Sequence, residues 1–213
     1  LATEYAFLEV LRDGGVGRVP EPVARSADGG FGLYTYLEGG QVHRVTGDHV
    51  DQCVRFAGEV AACGGLAGKR NLVGASDAHF DIEGHLAAVR ARLDHLDAPL
   101  ADRDLGRHLR GLLVEKLRPS LDRLEPLLRA TVEGSPADWE VGPTRRILSP
   151  SDFGFHNALE ARGRLAFVDF EYAGWDDPAK LICDFACQPD LRISRDMARR
   201  FGDGLSNLLG DES

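Results

Sequence analysis

Apolar residues recur every three to four positions along most of this chain, and two stretches replace that rhythm with short apolar runs between turn residues. Tyr5, Phe7, Leu8 and Leu11 give residues 3–12 one helical face, which Gly14-Gly15 ends. Pro20 and Pro22 turn the chain into an extended piece near Val23, and Asp28-Gly29-Gly30 reads as a hairpin turn into a strand from Phe31 to Leu37. Glu38-Gly39-Gly40 stops that strand, and the helical period returns. Asp48 to Ala62 offers Val50, Val54, Phe56 and Val60 to a core, whereas the glycines of residues 65–76 predict irregular structure.

Phe80 to Leu96 carries a stripe of Ile82, Leu86, Val89, Leu93 and Leu96. Leu105 to Ala130 carries a second, expected to break at Pro119 and Pro126. From Arg146 the pattern shortens again. Ile147-Leu148, Ala158 to Glu160 and Leu165 to Phe170 read as strands, with Arg162-Gly163 turning between the last two. Asp177-Pro178 then reads as an N-cap with proline at the first helical position, opening a helix through Leu181, Ile182 and Phe185 that ends near Pro189. A last helical segment runs from Ser194 to Leu209.

The 213 residues, 43% of them hydrophobic, suffice for one large domain or a domain and part of another. No apolar run approaches the roughly 20 residues of a membrane span. The first residues include Glu4 and Glu9 and lack a secretory pattern, so a cytoplasmic protein is expected. A net charge of −9 argues against broad nucleic-acid binding. Asp169 to Ser213 holds ten acids and five bases, a net of −5, which suits a cationic substrate or simply a solvated surface. Arginine outnumbers lysine 22 to 3, a bias of high-GC bacterial coding. The four cysteines lack zinc-site spacing and are expected to be free thiols.

The chemistry concentrates in Ser149-Pro150-Ser151-Asp152-Phe153-Gly154-Phe155-His156-Asn157 and in Val168-Asp169-Phe170-Glu171. An Asp, an Asn five positions on and a second Asp behind an apolar run form a spacing that phosphoryl transfer can use. One carboxylate accepts a hydroxyl proton, while the Asn and the second carboxylate hold Mg²⁺ on nucleotide phosphates. Asp152-Phe153-Gly154 spells a metal-binding triplet of protein kinases, but Asn157 follows it too closely. The order makes Asp152 the proton acceptor and Asn157 and Asp169 the metal ligands.

These two segments, with Trp175-Asp176-Asp177-Pro178-Ala179, resemble the catalytic core of the aminoglycoside phosphotransferase and choline kinase families. The resemblance implies an α+β, protein-kinase-like fold with a mostly helical large lobe (38–213) bearing short β hairpins, and a small lobe present only as residues 1–37. It implies a Mg²⁺-dependent kinase using ATP or GTP to phosphorylate a hydroxyl of an amino sugar, aminoglycoside, amino alcohol or related metabolite. The alternative is a non-catalytic nucleotide- or partner-binding protein of the same fold. Glu4 is similar to the helix glutamate that orients nucleotide phosphates, and Leu37-Glu38-Gly39 to the hinge that binds the base.

Several positions depart from the family pattern. A glycine-rich loop and a strand lysine do not precede Glu4, so a missing upstream segment is expected, and the carboxyl end also looks short. Pro150-Ser151 replace the usual His-Gly before the catalytic Asp. Leu181 stands where the family commonly has an Asp that supports the loop, and Asp184, one turn on, either substitutes for it or is a solvated helix residue. His156, next to Asn157, either touches substrate or phosphate or, the favoured reading, packs the loop.

Overall fold

The structure is a computed structural model that describes residues 2–97, 109–132 and 140–210. Contacts divide the chain into two compact units, one of residues 1–78 with 146–213 and one of residues 79–145. Residues 1–37 fall within the first unit.

In the first unit, α1 (Ala2–Asp13) buries Tyr5, Phe7, Leu8, Val10 and Leu11, the face expected from the sequence with Val10 added. A hairpin follows: β1 (Pro22–Arg25) pairs antiparallel with β2 (Gly32–Tyr34), and Asp28 Oδ1 accepts from Gly30 N in the turn. The strand expected to reach Leu37 stops at Tyr34. Among the described residues its ladder partner is the four-residue β1, and Phe31 and Tyr36 on either side are exposed. β3 (Gly40–Gln41) joins a three-stranded antiparallel sheet as β3-β5-β6, with β5 at Ala158–Ala161 and β6 at Arg164–Phe167. The β5–β6 turn places Arg162 and Gly163 both at positive φ, as a tight hairpin requires.

The helix α2 (Gly47–Ala62) begins where Thr46 Oγ1 accepts from His49 N, and it buries Val50, Phe56 and Val60 completely. Val54, also expected in the core, is only partly buried. Residues 65–76 are not wholly irregular. Gly64–Lys69 forms a short helix, α3, pinned by the fully buried Ala67. A third sheet pairs β4 (Ile147–Ser149) with β7 (Gly174–Asp176), a strand whose Gly-Trp-Asp sequence gives little β signal. The helix α6 (Pro178–Cys187) starts on the expected N-cap, with Asp177 Oδ1 accepting from Ala179 N at 2.8 Å. The helix α7 (Arg195–Gly210) packs along α2.

The core of this unit is aromatic. Phe56 stacks on Phe167 with ring centroids 4.1 Å apart, and Phe185 stacks on Phe201 at the same separation. Phe153 joins the two pairs, 5.9 Å from Phe56 and 5.9 Å from Phe201, and Phe7 meets Phe170 at 5.3 Å. Buried Gln52 fastens the β5–β6 hairpin to α2. Its Nε2 donates to Gly163 O, and its Oε1 accepts from Leu165 N at 2.9 Å.

The second unit holds α4 (Ile82–Asp97) and a helical stretch from residue 109 that becomes α5 (Arg118–Val132). The expected start of that stretch at Leu105 lies outside the described residues. The breaks expected at Pro119 and Pro126 do not occur. A π-helical turn over Leu113–Leu117 sits just ahead of Pro119, and its wider winding accommodates a ring that would otherwise strike the carbonyl four residues back. Pro126 is exposed, as is Asp122, so the carbonyl it leaves unpaired lies on the solvent side. Leu86 and Leu93 are buried as expected, but Val89 and Leu96 are exposed, because a unit this small encloses only a narrow line of side chains per helix. Arg129 bridges Glu83 and Glu125, which also meets Arg90.

Phe56→Ala is expected to destabilise the protein by about 3–5 kcal/mol, read from urea unfolding. Leu127→Ala, at an exposed α5 position, is expected to fall within about 0.5 kcal/mol of the unaltered chain.

Candidate active site

Four elements converge on one loop cluster. β4 ends at Ser149, and the chain runs through Pro150 to Gly154 into a single 3-10 turn, Phe155–Asn157, that leads directly into β5. β6 ends at Phe167, and Val168 to Ala173 return the chain to β7 beside β4, with Ser149 opposite Gly174. The two segments singled out in the sequence are therefore the exits of β4 and of β6, strands of two different sheets.

Asn157 ties them together. Its Nδ2 donates to Asp152 O at 3.1 Å, and its backbone oxygen accepts from Val168 N at 3.0 Å, one residue before Asp169. Because only the amide nitrogen can donate to a carbonyl, Asn157 Oδ1 is left as the acceptor end. Asp152 and Asp169 are exposed, and the Tyr172 phenol feels both carboxylates. Its pKa lies above the usual value, first through a hydrogen bond with Glu171 and then through nearby negative charge. Asn157 Oδ1 and the Asp169 carboxylate are hard oxygen donors and fit Mg²⁺, which takes only one or two protein ligands when phosphates supply the rest. Among the described residues no group of three His, Cys, Asp or Glu could hold a metal by itself.

The backbone here is strained. Ser151, Asp152 and Asp169 have φ of 50°, 40° and 66°, the left-handed region that costs a non-glycine residue about 1–2 kcal/mol. Buried neighbours hold it there. Phe153 and Phe155 lie in the aromatic core, and Phe155 N donates to Gln188 Oε1 at 2.6 Å. Gly154 passes so close to His156 and Gln188 that a Cβ would come within 2.8 Å of Gln188 Cβ. His156 is half-buried against the loop, its Nε2 3.4 Å from Asp152 Oδ1 but without hydrogen-bond geometry.

The departures from the family pattern also have a structural form. Leu181 is fully buried in the core and cannot serve as a polar support. Asp184 does not reach the loop itself; it accepts from Lys180 Nζ at 2.8 Å. Lys180 was not singled out by the sequence, nor were Gln188 or Tyr172, and Asp176 entered only as part of the motif of residues 175–179. Burial opposes the charge on Lys180, yet its hydrogen bonds to Asp184 and Asp176 and their negative charge keep its pKa above the usual value. A lysine four residues after one Asp and four before another on a helix start was the available signal.

The remaining expected site residues lie on the amino-terminal part of the unit. Gly39 approaches β5 so closely that a Cβ would sit 2.8 Å from Leu159 Cβ, and Gly40 pairs with Glu160. Of the three expected hinge residues, Gly39 thus lies beside the strand that follows Asn157. Glu4 accepts from the Tyr34 hydroxyl at 3.4 Å, and no described contact joins it to Asp152, Asn157 or Asp169. One turn along α1, Phe7 packs on Phe170, the residue after Asp169.

Superposition on solved structures shows a protein-kinase-like fold of the aminoglycoside phosphotransferase type. The sequence matches the family described as the phosphotransferase enzyme family (APH) over residues 1–206, and the chain belongs to that family. Spectinomycin phosphotransferase APH(9)-Ia, solved with ADP and spectinomycin, superposes with a TM-score of 0.62 at 11% identity over 96% of this chain. APH(2″)-IIa, solved with gentamicin, superposes with a TM-score of 0.55 at 16% identity, also over 96% of this chain. The chain spans 63% and 64% of those two proteins, a little under two thirds of their length. No curated protein matches the sequence. Among the described residues no helix is long and apolar enough to cross a membrane.

Tyr34 offers a check on the Glu4 environment. Burial, followed by the Glu4 charge, pushes its phenol up to about 12. A raised phenol favours the neutral form in the fold, so its contribution to stability is present below about pH 10 and is lost as pH rises through about 12. Ultraviolet titration should show this late tyrosine step, and Glu4→Gln should move it down toward 10.

Proposed function

We propose that this protein is a small-molecule kinase that transfers the γ-phosphoryl group of ATP or GTP to a hydroxyl of an amino sugar, aminoglycoside, amino alcohol or related metabolite. The observation that carries the reading is the double tie made by Asn157, to Asp152 on one side and to the residue before Asp169 on the other. Family membership and the fold support it.

In this reading Asp152 accepts the hydroxyl proton and orients the attacking oxygen. Its exposed carboxylate stands on a backbone fixed from beneath, which favours a ready geometry over a searching one. Asn157 Oδ1 and Asp169 hold Mg²⁺, which when bound neutralises charge on the phosphates. Leu37-Glu38-Gly39 is the hinge that meets the base, Glu4 belongs to the phosphate-orienting side, and residues 1–37 form part of the nucleotide-binding lobe. Residues 38–213 form the helical lobe, whose acidic end suits a cationic acceptor. Such a kinase would work in the cytoplasm, where its donor is found.

Calorimetry of Mg·ATP and Mg·GTP binding tests the nucleotide site, and Asp169→Ala is expected to weaken it at least about tenfold. Asp152→Asn is expected to keep nucleotide affinity and to lose about 10²–10⁴-fold in kcat against a hydroxyl acceptor. Turnover unaffected by Asp152→Asn would refute the assigned base. Mg·nucleotide binding with no turnover in the unaltered protein would favour a non-catalytic nucleotide binder.

A further inference from the structure

The loop that carries Asp152 places two successive non-glycine residues, Ser151 and Asp152, in the left-handed region. Asn157 holds the far side of Asp152 through its carbonyl oxygen. On the near side the hold comes from α6. Lys180 Nζ donates to Ser151 Oγ at 3.0 Å, to Asp176 Oδ2 at 3.2 Å and to Asp184 Oδ2 at 2.8 Å, so all three of its protons have acceptors. Ser151 N in turn donates to Ser149 Oγ at 3.0 Å, the last residue of β4.

We propose that Lys180 is a positioning residue for the proposed base: through Ser151 Oγ it locks the Ser151-Asp152 backbone and so aims the Asp152 carboxylate. This rests on the kinase reading of Asp152. The lysine bonds Ser151, not Asp152, and is itself held in a rigid frame. Asp176 is fully buried on β7, opposite Ile147 of β4, and its Oδ1 accepts from Asp177 N at 3.0 Å, beside the cap of α6. Asp184 stands one turn further along the same helix. The β4–β7 pair, the start of α6 and the catalytic loop therefore meet at one ammonium group. A left-handed glycine would need no such anchor, whereas a left-handed serine offers a hydroxyl by which it can be held.

A rival role is simple neutralisation of buried Asp176, and Ser151→Ala separates the two because it leaves the Lys180–Asp176–Asp184 set intact. Two readouts are taken on the whole protein: amide hydrogen exchange of residues 151–157, and Mg·ATP hydrolysis with water as acceptor, giving ADP and phosphate. Ser151→Ala is expected to speed exchange of that segment and to lower kcat about tenfold each, with KM for Mg·ATP within about twofold. Ser151→Gly, which loses the anchor but also the strain, is expected to recover part of the kcat.

Unchanged exchange and unchanged kcat in Ser151→Ala would overturn the proposal. So would a lowered melting temperature in Lys180→Met with no effect of Ser151→Ala, which would leave Lys180 only the task of neutralising Asp176. If the unaltered protein neither binds nor hydrolyses Mg·ATP, the kinase reading falls, and the exchange data still decide whether Lys180 holds the loop.

Discussion

The stack of Phe56 on Phe167, extended through Phe153 to Phe185 and Phe201, is the contact on which the rest of the first unit depends. It joins α2, the loop after β4, the end of β6, α6 and α7 through side chains that are all but absent from the surface. Each buried phenylalanine removes a large apolar area from water, worth about 1.5–3 kcal/mol, and the ring pairs add to that. A loop with two left-handed residues in a row persists because the residue that follows them, Phe153, cannot leave the core without giving up that burial.

The same arrangement explains how exposed carboxylates keep a fixed place. Asp152 is followed by a buried Phe153, and Asp169 stands between buried Phe167 and Phe170. Alternation of buried ring and exposed carboxylate lets the core set the position of groups that face solvent. Gln52 and Gln188 extend the control to the polar backbone, by fastening the β5–β6 turn to α2 and Phe155 N to the end of α6. In the proposed reaction, this is where positioning originates; the reacting groups themselves need only be carboxylate and amide.

Departures from the family pattern find a common answer in packing. Leu181 fills a fully buried site, which leaves no room for a carboxylate there. The charge appears instead at Asp184 and Asp176, both joined to Lys180, and it reaches the loop through a serine hydroxyl rather than through the helix carboxylate itself.

By itself the sequence determined the helical faces of α1 and α2, the β1–β2 and β5–β6 turns, the Asp177 cap and the spacing of Asp152, Asn157 and Asp169. All of these are local: they follow from periodicity, from turn residues with a fixed φ demand, and from distances of a few residues along the chain. It misjudged what depends on neighbours distant in sequence. The expected strand to Leu37 lacked a partner beyond Tyr34, the glycine-rich segment folded into α3 around Ala67, and β7 formed because β4 lay beside it. Val89 and Leu96 showed a core period but found nothing described to cover them. The tertiary structure alone decided that Lys180 reaches Ser151, 29 residues back in the chain, since such contacts arise from how strands pair and helices dock, which no local pattern encodes.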